Sequence, residues 1–247
     1  MIKFVEKPNL PKGKVKAIVC GELCKELNDY FDSIGIKRII IEPNYDIDHS
    51  VKSHADMAAI HLGDNSILID NAQVDLYKAL KTEGIHINVT DKKIKGEYPY
   101  DIGLNFTVIG NNLIGKIAFA DNKLAHLTKD YNHISVKQGY CKCSCLVVNE
   151  NAIITDDESI YNALTKSDFE CLLVSKGDVS LPGHEYGFIG GASGKISHNQ
   201  ILFFGDITKH RDYIKIADFI TKHNCEIISL EFPLTDFGSV IPVTEEI

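Results

Sequence analysis

Three cysteines crowd the stretch VKQGYCKCSCLVV at residues 136–148, where Cys141, Cys143 and Cys145 alternate with other residues. If this stretch is a β-strand, all three thiols lie on one face, because strand side chains alternate between two faces. A disulfide suits neighbouring strand positions poorly, and a zinc site usually pairs two closely spaced cysteines with a second Cys or His pair. Four interpretations stay open: a structural metal, a disulfide, buried unreactive thiols, and one reactive thiol.

The cysteine count narrows these interpretations. The chain has seven cysteines, and its first residues lack the apolar segment and cleavage site of a signal peptide. An odd count without an export signal argues against a disulfide framework. We therefore expect a cytoplasmic protein.

Charge and composition exclude some partners. The 247 residues are 44% hydrophobic, which is enough for a large core in one or two domains. The net charge is −8 and no run of five or six Lys or Arg occurs, so we expect no nucleic-acid or membrane partner. No apolar run approaches the ~20 residues of a membrane span.

One pattern recurs along the whole chain. A polar helix end followed by a short β-rich run occurs five times, at 33–43, 82–90, 129–137, 166–174 and 222–230. The spacing of apolar residues predicts a helix before each run, at 21–33, 72–83, 121–130, 157–166 and 208–223. Asn-containing hairpin turns precede four of these helices. Each unit therefore reads strand, turn, strand, helix, strand, which is typical of a repeat architecture.

The incomplete unit joins the two ends of the chain. PLTDFGSVIPV at 233–243 supplies its incoming strand, and the N-terminus supplies the outgoing one. We predict an α/β fold: a five-fold pseudo-symmetric α/β-propeller of ββαβ repeats, with the ring closed by the N- and C-terminal strands. The single domain, 1–247, would hold repeats at roughly 53–97, 98–138, 139–185, 186–235, and 236–247 with 1–52. The alternative is a plain α/β domain with coincidentally similar fragments.

Five ββαβ units in a ring resemble the guanidino-group-modifying enzyme superfamily, which has the pentein or α/β-propeller fold. The family includes arginine and agmatine deiminases, dimethylarginine dimethylaminohydrolase and amidinotransferases. It also includes non-catalytic members, such as a ribosome anti-association factor. The resemblance in repeats covers essentially the whole chain, whereas the resemblance in catalytic motifs covers a few positions.

Two positions match the catalytic motifs. In HADMAAIHLGDN, His54 and Asp56 open the first strand of one unit, as the catalytic His of the deiminases does within His-x-Asp. Two units later, Cys143 follows Gly139 in the G-x-x-x-C pattern that resembles the dimethylarginine enzymes. The resemblance therefore implies Cys143 as the nucleophile, with Cys141 and Cys145 as alternatives if the strand register differs.

The chain departs from the family pattern in two respects. The Cys unit lies mid-chain rather than at the end, which implies a circular permutation. The next strand, YGFIGGASGK at 186–195, has no carboxylate to bind a guanidinium group. Asp236 and Asp101 open the other two units and would compensate. Ser193 is a further candidate for substrate binding, although a turn role suits it too.

The chemistry implied by the resemblance is thiolate attack on an amidine-like carbon. His54 would protonate the leaving amine and then activate water, because imidazole titrates near neutral pH. Asp56 would hold the planar cation. Each residue also has an ordinary interpretation: His54 bonded to backbone, Lys142 at the surface and Ser144 in the core. In the opposite register, Lys142 lines the pocket and favours an anionic substrate.

We therefore predict a cysteine-dependent hydrolase or transferase that acts on a guanidino- or amidino-type C–N bond of a small molecule, with no cofactor and no metal. The alternatives are a non-catalytic binding protein on the same ring and an enzyme with a non-guanidino substrate. An activated Cys143 is expected to have a depressed thiol pKa and to label fast near neutral pH. The oligomeric state is left open.

Overall fold

The computed structural model describes residues 1–247 and has sixteen strands and six α-helices. The strands are β1 (Ile2–Phe4), β2 (Lys14–Cys20), β3 (Lys37–Ile40), β4 (Ala59–Gly63), β5 (Ser66–Ile69), β6 (His86–Val89), β7 (Thr107–Ile109), β8 (Asn112–Gly115), β9 (Asn132–Ser135), β10 (Cys145–Asn149), β11 (Ala152–Thr155), β12 (Glu170–Leu173), β13 (Ser193–Lys195), β14 (Gln200–Phe203), β15 (Glu226–Ile228) and β16 (Val240–Glu246). The helices are α1 (Lys25–Ser33), α2 (Ala55–Ala58), α3 (Val74–Thr82), α4 (Asn122–Leu127), α5 (Glu158–Leu164) and α6 (Tyr213–Lys222).

The strands form five small sheets. Their orders are β1-β16-β2-β3, β4-β5-β6, β7-β8-β9, β10-β11-β12 and β13-β14-β15. In every sheet an antiparallel pair is followed by a parallel pair, and a helix connects the two parallel strands. The antiparallel pair is a hairpin in four sheets, and in the first sheet it joins β16 to β2. This is the predicted ββαβ unit, five times over. We number the units by chain order, and the first contains β16, β2 and β3.

The first unit contains both ends of the chain, as predicted. Strand β16 pairs antiparallel with β2, and β1 pairs with the outer edge of β16. Both termini thus share one sheet, and the last strand of the chain is interior to it.

Apolar residues on the short helices explain why the units pack. Helix α1 buries Leu27 and Phe31, four residues apart, and α3 buries Leu76 and Leu80 in the same spacing. The predicted helix at 208–223 begins later, at Tyr213, because the Asp206 carboxylate accepts from the backbone N–H of Thr208 and begins a separate 3₁₀ turn over Ile207–Lys209. None of the six helices has the length and apolar composition that a membrane span requires.

The hydrophobic core is divided among the unit boundaries. Five large clusters of buried side chains each combine residues of two neighbouring units: first with second, second with third, third with fourth, fourth with fifth, and fifth with first. Each unit therefore packs on two neighbours. Such an arrangement brings the same end of each unit toward a common centre.

Candidate active site

Side chains from several units meet at that centre. Cys143 of the fourth unit places its Sγ 3.0 Å from the Asp56 Oδ2 of the second unit and 3.2 Å from the Asn105 Nδ2 of the third. The Asp236 carboxylate of the first unit lies 3.7 Å from the His54 Nδ1. The backbone N–H of Gly191, in the fifth unit, donates to the Cys143 carbonyl at 2.7 Å. All five units thus contribute to one cluster.

The segment that carries Cys143 is a turn, and the expectation of a strand there was wrong. Strand β10 begins only at Cys145. The side-chain oxygen of Asn105 accepts from the backbone N–H of Lys142 at 2.8 Å and of Cys143 at 3.4 Å. These N–H groups therefore bond to a side chain of another unit instead of to a neighbouring strand.

The turn separates the three thiols. Cys143 points at Asp56, whereas the Cys141 and Cys145 sulfurs lie 3.9 Å apart within an apolar cluster. All seven cysteines are free. Of the three, only Cys143 lines the cavity described below.

His54 and Asp56 lie at the start of the short helix α2 rather than on a strand. His54 precedes the short helix α2, and β4 starts only at Ala59. The N–H of Asp56 donates to the carbonyl of Gly238 at 3.3 Å. Gly238 has a φ of +76°, and a Cβ there would lie 2.2 Å from the His54 Cβ. Only glycine lets the first unit approach His54 this closely.

The Gly-rich stretch of the fifth unit has a similar packing role. A Cβ on Gly191 would lie 2.0 Å from the Asp236 Oδ1. The Asp236 carboxylate also accepts from the backbone N–H groups of Phe188 at 3.0 Å and Gly238 at 2.9 Å, which fix its orientation. The glycines thus allow the backbone to approach the centre of the ring.

Burial dominates the electrostatics of the cluster. Loss of solvent raises the pKa of Asp56 to about 6, although the neighbouring His54 opposes the shift. Loss of solvent, together with the Asp56 and Asp236 carboxylates, raises the pKa of the Cys143 thiol well above its ordinary value. The resting sulfur is therefore a thiol, contrary to the expected depressed pKa.

Lys142 is buried, so its expected place at the surface was wrong, whereas Ser144 is buried as expected. The Lys142 ammonium donates to the Ser239 hydroxyl at 2.6 Å, and loss of solvent lowers its pKa. It is absent from the lining of the cavity beside Cys143. Its charge therefore offsets the buried acids from behind the cluster and gives no support to an anionic substrate.

Cys143 lies on a cavity of about 230 Å³, which Asp236 also lines. His54 and Asp56 lie outside the lining, on the buried side of Cys143. Asp101 accepts from the Tyr140 hydroxyl at 2.8 Å, behind the wall that Tyr140 forms. Ser193 lies outside the lining, and its hydroxyl donates to the Ile189 carbonyl at 2.7 Å. His184 reaches the lining from its loop and lies 3.2 Å from an Asp48 oxygen.

Several buried polar atoms at the centre have no hydrogen-bond partner within the protein. They include the Asp56 Oδ1, the Asp101 Oδ1 and the His54 Nδ1. Buried polar atoms are rarely unpaired in native proteins, and none of these three residues lines the cavity beside Cys143.

The centre also has donors for a metal ion. His54, Asp56 and Cys143 each offer one ligand atom, and these atoms lie within 4.8 Å of one another. Nitrogen, oxygen and sulfur donors of this kind bind Zn²⁺. A metal here would occupy the thiol that nucleophilic chemistry needs, so the two uses of the cluster exclude each other.

Sequence reasoning missed Asn105, whose side chain holds both the backbone and the sulfur of Cys143. The repeat pattern could have identified it, because Asn105 lies two residues before the first strand of the third unit, as Cys143 does before that of the fourth.

Comparisons with known proteins agree with the geometry at the level of the fold. The model of a family described as "Family of unknown function (DUF6873)" matches residues 18–241. No curated protein matches the chain.

Three solved structures are similar over nearly the whole chain. The inosamine-phosphate amidinotransferase StrB1 from Streptomyces griseus is 11% identical, with a TM-score of 0.58 and coverage of 98% of this chain and 96% of the other. SxtG, an amidinotransferase from Microseira wollei in the saxitoxin biosynthetic pathway, is 12% identical, with a TM-score of 0.56 and 96% coverage of both chains. The C. jejuni agmatine deiminase is 14% identical, with a TM-score of 0.54 and coverage of 94% and 90%. The predicted pentein fold is confirmed, while the circular permutation stays a prediction.

Proposed function

The chain belongs to the family of unknown function DUF6873, and we propose that it is a cysteine-dependent hydrolase or transferase acting on a guanidino- or amidino-type C–N bond. The observation that carries this proposal is the contact of the Cys143 sulfur with the Asp56 carboxylate at 3.0 Å, beside a cavity that Asp236 also lines. A nucleophile placed among carboxylates suits an electrophile that carries positive charge.

Binding of the cation would prepare the nucleophile. The Asp56 and Asp236 carboxylates raise the pKa of the resting thiol, and a guanidinium group between them would offset their charge. The thiol proton would pass to Asp56, whose Oδ2 already accepts from the sulfur. Activation is then coupled to substrate, and an unliganded protein keeps an inert thiol.

The reaction would proceed through a covalent intermediate. The Cys143 thiolate forms a C–S bond to the central carbon, and the C–N bond breaks as His54 donates a proton to the leaving amine. This gives a thiouronium-type adduct. His54 then accepts a proton from water, the oxygen attacks the same carbon, and the C–S bond breaks to return the thiolate. An acceptor amine in place of water would make the reaction a group transfer.

A matched pair of reagents tests the proposal. Chloroacetamidine is a cation and chloroacetamide its neutral counterpart, and both alkylate thiolates. We expect chloroacetamidine to modify Cys143 at least about tenfold faster, with the adduct located by mass spectrometry, and a Cys141→Ser control to behave as wild type. Equal rates for the two reagents, or modification spread evenly over the cysteines, would contradict the proposal.

Turnover is the second test. Release of ammonia or amine from guanidino compounds should be lost in Cys143→Ser and His54→Ala and retained in Cys141→Ser. His54→Ala should retain binding of a guanidinium ligand, because His54 acts in proton transfer rather than in holding the cation.

A binding protein on the same ring is the second candidate. It is favoured by the complete burial of a thiol that is protonated at rest. Such a protein would bind small cations at Asp56 and Asp236 without forming an adduct or a product. The cytoplasmic location and the absence of nucleic-acid and membrane partners stay predictions.

A further inference from the structure

The cavity over Cys143 has a predominantly apolar wall. Tyr140, Tyr186 and Phe188 line one part of it, with the Phe188 ring centroid 6.2 Å from each of the two tyrosine rings. Val51 and Leu181, both buried, complete the wall. A ligand whose reactive carbon contacts Cys143 would therefore lay its remaining atoms against aromatic and aliphatic surface.

The charged groups of the cavity are mostly acidic. Asp236 lines the cavity together with Cys143. Glu185, an exposed residue in the loop after Leu181, lines it as well. No lysine or arginine lines the cavity. His184, the only basic side chain of the lining, lies 3.2 Å from the Asp48 carboxylate. The nearest buried ammonium, that of Lys142, donates to Ser239 instead.

This lining has no place for an acidic group on the ligand. A carboxylate or phosphate on the body of the substrate would meet apolar surface or Glu185, without a hydrogen-bonded cation to offset its loss of solvent. The cavity, at about 230 Å³, is also smaller than the roughly 300–1,000 Å³ of most small-molecule sites. It suits a compact ligand.

We infer that the substrate is a small monocationic guanidine or amidine with an apolar, uncharged body and no acidic group. This inference rests on the proposed function and gives the class of molecule that the site selects. Amino acids that carry a guanidino group, whose carboxylate needs a cationic partner, would be poor ligands.

A pair of ligands that differ mainly in one acidic group tests the inference. n-Butylguanidine and 4-guanidinobutanoate have chains of the same length, and only the second carries a carboxylate. Binding is measured by calorimetry on Cys143→Ser, which does not turn over, and kcat/KM on the wild-type protein. We expect 4-guanidinobutanoate to be weaker by on the order of 100-fold in both measurements, because like charges in contact oppose binding.

The two measurements separate the inference from the proposed function. Selective binding of n-butylguanidine without any turnover would support the inference as ligand selectivity and contradict the enzyme. Turnover with equal or better use of 4-guanidinobutanoate would support the enzyme and overturn the inference. Failure of both compounds to bind would overturn the inference as well.

A charge reversal at the cavity gives an independent test. Glu185 is exposed, so Glu185→Arg should fold, and it supplies the missing cation. It should narrow the gap between the two ligands by at least about tenfold. Glu26→Arg, a change at another exposed glutamate, on α1, should leave the gap unchanged. An unchanged gap in Glu185→Arg would overturn the assignment of Glu185 to the selectivity of the site.

Discussion

At the scale of single residues, the centre of the ring concentrates groups that are costly to bury together. Asp56 and Cys143 are almost completely buried and in contact, and Lys142 supplies the compensating charge from behind. Burial favours the neutral acid and the neutral thiol, as their raised pKa values indicate. Burial of ionisable groups, some with unpaired polar atoms, lowers the stability of the fold. Such clusters with shifted pKa values are typical of functional sites.

The first prediction concerns thiol reactivity. Asp56→Asn removes the nearest negative charge that raises the pKa of Cys143, so the thiol should ionise at lower pH. Alkylation of Cys143 by neutral iodoacetamide should be slow near pH 7 in the wild-type protein and faster in Asp56→Asn. Asp101→Asn, which changes a carboxylate on the far side of Tyr140, is the control and should match wild type. An Asp56→Asn rate no higher than the wild-type rate would refute the electrostatic argument.

The second prediction concerns stability and follows from the pKa of Asp56. Its pKa is raised from 3.8 to about 6 in the folded protein, so folding favours the protonated acid. The free energy of unfolding therefore falls as pH rises from about 4 to about 6. Above that range the folded protein bears the full free-energy cost of keeping Asp56 ionised. Asp56→Asn removes this cost and should be more stable by roughly 2–3 kcal/mol at pH 7.5.

Urea unfolding at two pH values measures this effect. The stability gain of Asp56→Asn should be large at pH 7.5 and nearly absent at pH 4, while catalytic turnover is lost at both. A gain that is independent of pH, or a destabilised variant at pH 7.5, would show that Asp56 does not carry the assigned cost.

At the scale of elements, local signals explain which parts of the fold were predictable. The hairpin of the second unit turns at Asp64 and Asn65, where Asp64 has a positive φ, as a short-range turn signal predicts. Helices α1, α3, α4, α5 and α6 lie within the predicted ranges because their apolar spacing is visible in the sequence.

The turns that hold the catalytic candidates were not predictable in this way. Residues 141–144 depend on the side chain of Asn105, and α2 depends on the carbonyl of Gly238. These partners come from other units, so the sequence near Cys143 or His54 contains no trace of them. The sequence identified Cys143, His54, Asp56 and Asp236, which meet at the centre. It missed Asn105, and the backbone that orients these side chains is set by contacts between units.

The third prediction tests such a contact. Gly238→Ala strains a left-handed backbone and also places a Cβ 2.2 Å from the His54 Cβ. Gly35→Ala shares the strain, with a φ of +70°, but its Cβ has no atom within 4 Å. The Gly35 change should cost about 1–2 kcal/mol, and the Gly238 change should cost more. Only Gly238→Ala should also slow chloroacetamidine modification of Cys143, because Gly238 hydrogen-bonds to the backbone of Asp56 and to the carboxylate of Asp236, the two proposed cation ligands.

Denaturant unfolding and labelling rates, measured on both variants, separate strain from displacement. Equal losses of stability and equal labelling rates would show that the approach of Gly238 to His54 does not position the site.

At the scale of the whole molecule, stability and site geometry depend on the same cycle of contacts. Each large apolar cluster joins two neighbouring units, and the first unit closes the sequence of contacts through clusters with the second and the fifth. The site takes residues from all five units. Loss of the apolar packing between two units should therefore disturb the site at the centre as well as the hydrophobic core.

The fourth prediction compares the two terminal strands of the chain, the interior strand β16 and the edge strand β1, to test this dependence. Strand β16 lies between β1 and β2, and its Val240, Ile241 and Val243 are buried in clusters shared with the second and fifth units. Burial of three such side chains contributes roughly 5–9 kcal/mol, which is comparable with the whole stability of a typical domain. Deletion of 240–247 should therefore abolish the cooperative unfolding transition.

Deletion of 1–4 is the matched control, because β1 is an edge strand of three residues and its Ile2 is 65% exposed. That variant should unfold cooperatively and retain chloroacetamidine modification of Cys143, since it removes no residue that contacts the centre. Thermal unfolding followed by circular dichroism distinguishes the two deletions. A cooperative transition after removal of β16 would mean that the other four units fold without their packing on the first unit. The cycle of contacts would then add little to stability. Loss of β16 would then act on the site alone, through the loop that carries Asp236 and Gly238.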